Sequence, residues 1–334
     1  MSAGVSRHPR AVLLGAQAAW AGLPACDHYA GVEARMRKSL ALQAEWSARH
    51  GTCLFDVTLD CEDGAPVGGE AEHAALVAAL VQSLDWSATV PPRVAVRVHP
   101  VDHPAFAGDI ATIVGAVGAR LTHVMLPKVE SVADVERASS ALDAAGAPQL
   151  PLHALIESPA AVQQAFDIAA HPRVQSLSFG LMDFVSAHGG AIPASAMTLH
   201  GQFEHPLVRR AKLEIASAAH AHGKVPSHCV VTEFRDRDAV RLAAQRAARE
   251  FGYTRMWSIH PDQIESIVQA MAPQAAEVER AADIIERALA ADWAPIAYAG
   301  QLHDRASYRY YWQVLERAHA TAQPLPASVQ PLFV

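Results

Sequence analysis

The sequence predicts an α/β fold, a (β/α)8 TIM barrel followed by a C-terminal helical lid or arm. Three observations carry this expectation. Eight apolar, β-branched runs alternate with Ala-rich runs of helical spacing. The alternation spans roughly 250 residues, the usual length of such a barrel. No GxGxxG and no GxxxxGKS/T follows any of the runs, which weakens the competing open, doubly wound sheet. Residues 1–270 are expected to form the barrel and catalytic domain, and 271–334 the extension, a lid or an oligomer arm.

The first strand is expected at AVLLGA (11–16). The others follow at CLFDVTL (53–59), RVAVRVH (93–99), HVMLPK (123–128), LHALIE (152–157), VQSLSFG (174–180), KVPSHCVV (224–231) and TRMWSIH (254–260). Between them EHAALVAALVQSL, VADVERASSALDAA, PAAVQQAFDIAA and DAVRLAAQRAAREFG place apolar residues at i, i+3, i+4 and i+7. Ser158-Pro159 is a helix start, an N-cap followed by proline at the first helical position. Ser131 is a second expected cap. A helix over 273–291 and an aromatic-rich tail, APIAYAGQLHDRASYRYYWQVLERAH, close the chain. The N-terminal SRHPR and AVLLGAQAAWAGLPAC also read as a basic segment, an apolar segment and a lipoprotein-like cleavage site. A first core strand with its loop is the preferred reading, because YAGVEARMRKSLALQAEW continues with helical spacing.

Composition bounds the function. The chain is 51% hydrophobic and 18% charged, which is globular. A net charge of −7 with no basic run argues against nucleic acid. No apolar run reaches the about 18 residues a membrane span needs. The four cysteines form no CxxC pair, and a reducing, cytoplasmic compartment fits them.

Strand ends line the mouth of a barrel. Asp60, Glu62 and Asp63 end one run and Arg97 another. Lys128 and Glu130 follow the next, then Glu157, Asp183 and His260. Glu157 and Asp183 follow neighbouring strands, so they face one another. Two hard oxygen donors suit Mg²⁺, whereas Zn²⁺ would want His or Cys. Each alone also reads blandly, Glu157 as a helix-start carboxylate and Asp183 as a loop residue. Alternation puts Val94, Val96 and Val98 on one strand face and Ala95, Arg97 and His99 on the other. Arg97 then either pairs with Asp60 or Glu62 or captures a substrate carboxylate. His260 reads as a turn cap. Lys128 balances either Glu130 or the acidic cluster. Asp56, in mid-strand, has no evident role.

FDVTLDCEDG, VRVHP, MLPKVES, ALIESPAAV, SLSFGLMDF and MWSIHPDQI, in this order, resemble the citrate lyase β-subunit-like family. That family includes the malyl-CoA, citramalyl-CoA and related acyl-CoA lyases. The resemblance runs from about residue 50 to about residue 270. It implies a Mg²⁺-dependent barrel that assembles as a homotrimer or homohexamer and cleaves a 3-hydroxyacyl-CoA to an acyl-CoA and a 2-keto acid. It implies Glu157 and Asp183 as metal ligands and Arg97 as the keto-acid arginine. Glu157 also lies at the substrate, and Glu62 and Asp63 are the acidic pair that orients Arg97 or acts through water. YAGQLHDRASYRYYWQVL stands where the lyases have LDGxMxD, which puts Asp304 on their catalytic aspartate, brought over a neighbouring subunit's site. Two departures touch the thioester half: Tyr298-Ala299 replace Leu-Asp, and His228 replaces an aspartate. The competing expectations are a CoA-independent pyruvate-type aldolase, a carrier-dependent citrate lyase β subunit and an accessory protein that binds an acidic metabolite.

Overall fold

A computed structural model describes residues 8–15 and 22–333. Eight parallel strands close a barrel in chain order, with the first pairing the last. They are β1 (Cys26–Ala30), β2 (Phe55–Asp60), β3 (Val94–Arg97), β4 (Leu121–Leu126), β5 (Leu152–Ile156), β6 (Val174–Phe179), β7 (Val225–His228) and β8 (Arg255–Ser258). Parallel neighbours need a crossover, and helices such as Glu33–His50, Glu70–Gln82, Val132–Ala144, Pro206–Ala221 and Arg237–Phe251 supply it. The outward residues Phe55, Val57, Leu59, Val94, Val96 and Val98 are buried in the core that these helices cover. Ser158 caps as expected: its Oγ accepts from the Ala161 N–H at 3.0 Å, with Pro159 at the first helical position. Ser131 precedes the helix Val132–Ala144, and its N–H donates to Asp134 at 3.0 Å.

The expected strand at 11–16 is not one. Pro9–Leu14 is a helix whose His8 cap accepts from the Arg10 N–H, and residue 16 lies outside the described residues. The segment's apolar side chains are spent on another core, where Leu13 and Leu14 join Ile284, Ile285, Tyr308 and Trp312. The true first strand, CDHYA, carries no apolar signature because its polar residues are buried in pairs. Asp27 faces Arg255 at 2.7 Å and accepts from Thr58 at 2.7 Å. His28 lies 2.7 Å from the Ser258 hydroxyl and 2.9 Å from that of Ser39. Of the N-terminal segment read as a possible leader, residues 6, 7 and 16–21 lie outside the described residues.

The chain divides into two compact units, the barrel over Pro24–Met271 and a second made of Ala272–Val334 with the N-terminal segment. In the second, the helices Ala275–Ala290 and Arg305–Ala320 flank a hairpin, β9 (Ile296–Tyr298) and β10 (Gln301–His303). No helix among the described residues is long and apolar enough to cross a membrane.

Candidate active site

Asp60 and Arg97 end adjacent strands and are partners in register. The guanidinium lies bidentate on the carboxylate, Nε to Oδ1 at 2.7 Å and Nη2 to Oδ2 at 2.5 Å. Asp60 also accepts the N–H groups of Glu62 (3.0 Å) and Gly64 (2.9 Å), which closes the turn after β2. A Cβ on Gly64 would stand 2.2 Å from Asp60 Oδ2, so this turn admits only glycine. The turn brings Glu62 over the mouth, with Oε2 3.0 Å from Arg97 Nη1 and Oε1 accepting Lys128 Nζ at 2.5 Å. Arg97 thus pairs with both carboxylates that the sequence offered it. Burial alone would weaken its charge, and Asp60 more than offsets this, raising its pKa. Burial likewise pushes Glu62 up, but Arg97 and then Lys128 outweigh it and hold that carboxyl below its usual range.

Across the mouth, Glu157 stands one residue beyond β5, buried. Asp183 lies in the first turn of the helix Leu181–Ser186 that follows β6, the hydrogen-bonded neighbour of β5. Burial first, and then the charges of Asp183 and Glu62, push the Glu157 carboxyl up to about 8. A buried carboxylate set against another is relieved by a cation. Gly180 leaves the room: a Cβ there would stand 2.5 Å from Glu157 Oε2. The other oxygen, Oε1, accepts the backbone N–H of Lys128 at 2.7 Å. Two oxygen donors in a half-open site fit a hard divalent ion that keeps positions for water and substrate.

The other expected residues fall as follows. Asp63 is exposed, 3.9 Å from Lys128 Nζ, and its carboxyl is raised by partial desolvation at the crowded mouth and then by the charge of Glu62. Lys128 balances this cluster; Glu130 instead accepts from the Ser158 hydroxyl at 2.7 Å. His260 Nδ1 accepts from the Asp262 N–H at 3.3 Å, a turn cap. His228 is buried and stacked on Phe203. Asp304 lies in the second unit, where it caps the helix Arg305–Ala320 by accepting from the Ala306 N–H at 3.0 Å. Sequence reasoning missed how Asp60 organises the turn, although its place at a strand end signalled it. It also missed the backbone role of Lys128, whose φ of +51° leaves no mark in the sequence.

Beneath the mouth, Tyr29 and Trp257 stack at 4.3 Å beside Met125 and Leu155. Toward the strand starts, Arg255 pairs with Asp27 and Asp56, each at 2.7 Å. Asp56 has its role here, completed by Arg93 at 2.6 Å. Asp27, His123 and His153 offer ligand atoms within 4.8 Å of one another. Yet the two rings are stacked, 3.5 Å apart and 12° from parallel, so their lone pairs do not converge on one ion. Arg255 already supplies the positive charge. Beside the mouth, a pocket of about 470 Å³ at the ends of β1 and β8 has Arg35, Lys38, Phe234 and His260 in its lining.

Comparison with known proteins bears on the family and the fold. The family described as HpcH/HpaI aldolase/citrate lyase matches residues 50–261. The L-malyl-CoA/beta-methylmalyl-CoA lyase of Cereibacter sphaeroides is 28% identical over 279 residues, 78% of this chain and 86% of that one. A citrate lyase crystal structure from Burkholderia xenovorans is 51% identical with a TM-score of 0.82, covering 98% of this chain and 99% of that one. The CitE protein of Mycobacterium tuberculosis, solved with magnesium, acetoacetate and coenzyme A, shares the fold. Its identity is 24% and its TM-score 0.65, over 89% of this chain and 99% of that one. With residues 50–261 matched and the barrel closed around a carboxylate-and-arginine mouth, the chain belongs to the HpcH/HpaI aldolase/citrate lyase family and is a carbon–carbon lyase.

Proposed function

We propose that the protein reversibly cleaves a 3-hydroxyacyl-CoA thioester, malyl-, citramalyl- or citryl-CoA-like, to an acyl-CoA and a 2-keto acid, with Mg²⁺ held by Glu157 and Asp183. The observation that carries this reading is a buried arginine at the end of β3 together with Glu157 and Asp183, which follow the paired strands β5 and β6. Bound there, the ion supplies Lewis-acid stabilisation for the oxygen that is alkoxide in one direction and keto carbonyl in the other.

Arg97 has five N–H donors, of which two hydrogen-bond Asp60. Nη1 and Nη2 retain N–H groups for a substrate carboxylate. Asp60 keeps that arginine oriented, and the acidic pair Glu62 and Asp63 lies beside it, Glu62 on Nη1 and Asp63 near Lys128. In cleavage the bond between the carbinol carbon and the thioester α-carbon breaks. The hydroxyl gives up its proton, and the α-carbon takes one. Asp304 is assigned that second proton, which it removes from the thioester methyl group in the reverse direction. Asp304 acts from a neighbouring chain in this reading, so a homotrimer or homohexamer is the active form. The cations Arg35 and Lys38 on the pocket beside the mouth suit the phosphates of CoA. A second reading, a CoA-independent pyruvate-type aldolase with a different base, is favoured by one feature: Tyr298-Ala299 where the lyases carry Leu-Asp.

The test incubates the protein with Mg²⁺ and malyl-, citramalyl- and citryl-CoA and follows free keto acid. Glu157→Ala and Asp183→Ala are expected to abolish metal-dependent turnover. Asp304→Asn should cost about 10²- to 10⁴-fold in turnover while keto-acid binding stays measurable by calorimetry. Full activity in either metal-ligand variant sinks the metal assignment. Loss of keto-acid binding in Asp304→Asn makes the tail structural.

A further inference from the structure

We propose that Lys128 is a positioning residue that keeps Arg97 available to the substrate, an inference that rests on the reading of Arg97 as the carboxylate-binding group. Three observations converge on it. Lys128 is the first residue of the β4 loop to leave extended geometry for the left-handed region, at φ +51°. L-residues other than Asn, Asp and Gly rarely settle there, and such strain persists where the surroundings impose it. In that conformation its N–H points at Glu157 Oε1, 2.7 Å away. Its side chain reaches past β3 to the turn after β2, with Nζ on Glu62 Oε1 at 2.5 Å and 3.9 Å from Asp63. Glu62 is therefore shared, one oxygen on the lysine and the other on Arg97 Nη1 at 3.0 Å.

The sharing has a consequence for binding. Glu62 is a carboxylate beside the arginine that must take a substrate carboxylate. Unshared, it would turn both oxygens to the guanidinium and compete with the substrate for the same N–H groups. The ammonium of Lys128 holds one oxygen away and balances its charge. The backbone N–H separately fixes Glu157, leaving Oε2, which faces Gly180, as its second donor. Lys128 thereby acts on the arginine through its side chain and on the metal-side carboxylate through its main chain. A side-chain substitution separates the two.

The experiment is calorimetry on the full chain with Mg²⁺ alone, then with pyruvate or glyoxylate in the presence of Mg²⁺. It compares wild type, Lys128→Met, Lys128→Arg and the double variant Glu62→Gln/Lys128→Met, each checked by thermal melting. Lys128→Met is expected to weaken keto-acid binding about 10-fold and to leave Mg²⁺ affinity unchanged, because its N–H remains. Lys128→Arg should retain most of the binding. Removing the competitor in Glu62→Gln/Lys128→Met should recover it. Keto-acid binding in Lys128→Met equal to wild type overturns the proposal. So does equal loss of Mg²⁺ and keto acid with a lowered Tm and no recovery in the double variant, which would make Lys128 merely structural. A wild type that binds neither Mg²⁺ nor either keto acid overturns the proposed function itself, and the role of Lys128 with it.

Discussion

At the scale of single residues, the barrel mouth depends on two glycines that make room for carboxylates. Gly64 lets Asp60 fold the turn back over Arg97. Gly180 gives Glu157 its place. Gly180 has φ −97°, which any residue can adopt, so only space demands glycine there. A Cβ would also stand 2.6 Å from Glu157 Cβ, too near the backbone end of that side chain for a simple swing to relieve. Gly180→Ala is therefore expected to lower Mg²⁺ affinity at least about 10-fold, the usual cost of disturbing a ligand's support, and to lower the circular-dichroism melting temperature as well, because the crowded backbone must shift. Calorimetry showing wild-type affinity would mean that Glu157 is not held where Mg²⁺ needs it. Asp56 and Asp60, four residues apart on one inward face of β2, have different partners. The strand pattern announces their shared face and says nothing of Arg255, which arrives from the far end of the chain.

At the scale of elements, local signals succeed where burial is apolar and fail where it is polar. The strands β2 to β6 are legible because their outward faces carry Val, Leu, Ile or Phe, whereas β7 (VPSH) and β8 (RMWS) are marked by the longer runs that contain them, KVPSHCVV and TRMWSIH. CDHYA is not, because its inward charges are compensated by residues on β2 and β8 that no window contains. The hairpin β9–β10 is a second case. Its two-residue loop, Ala299-Gly300, has φ +46° and +77°, the geometry of a type I′ turn. Asn-Gly is the favoured pair there, and alanine in that region costs roughly 1–2 kcal/mol. Ala299→Asn should stabilise the second unit by up to about 1 kcal/mol, read as slower amide exchange over residues 296–303. Faster exchange would contradict the turn assignment.

At the scale of the whole molecule, buried neutral histidines set the acid limit of stability. Burial above all lowers the pKa of His28 to about 4 and those of His153 and His228 well below the usual value, with His123 aiding at His153 and Lys212 at His228. The unfolded chain protonates all three near pH 6.5 while the folded chain does not, so stability falls as pH drops below that value. Each contributes about 1.4 kcal/mol per pH unit, together roughly 4. Glu157 works in the opposite direction, since its raised pKa makes the folded chain take up a proton as pH falls below about 8. The clean measurement is therefore in Glu157→Gln, whose urea midpoint at pH 5.5 should be well below that at pH 7.5. A flat profile over that window would mean that these histidines are charged in the fold.

The order of runs, their periods and the polar residues at their ends determined the barrel, the helix starts at Ser131 and Ser158, and the positions of Arg97, Glu157 and Asp183 at its mouth. These follow from alternation and spacing, which are local and survive in one dimension. Only the tertiary structure decided that β1 is CDHYA, that Asp56 belongs to Arg255, that Arg97 holds Asp60 and Glu62 together, and that Lys128 turns its backbone toward Glu157. Those depend on charges meeting across strands far apart in the chain, where closing the barrel makes a buried ion pair tolerable that no local pattern announces.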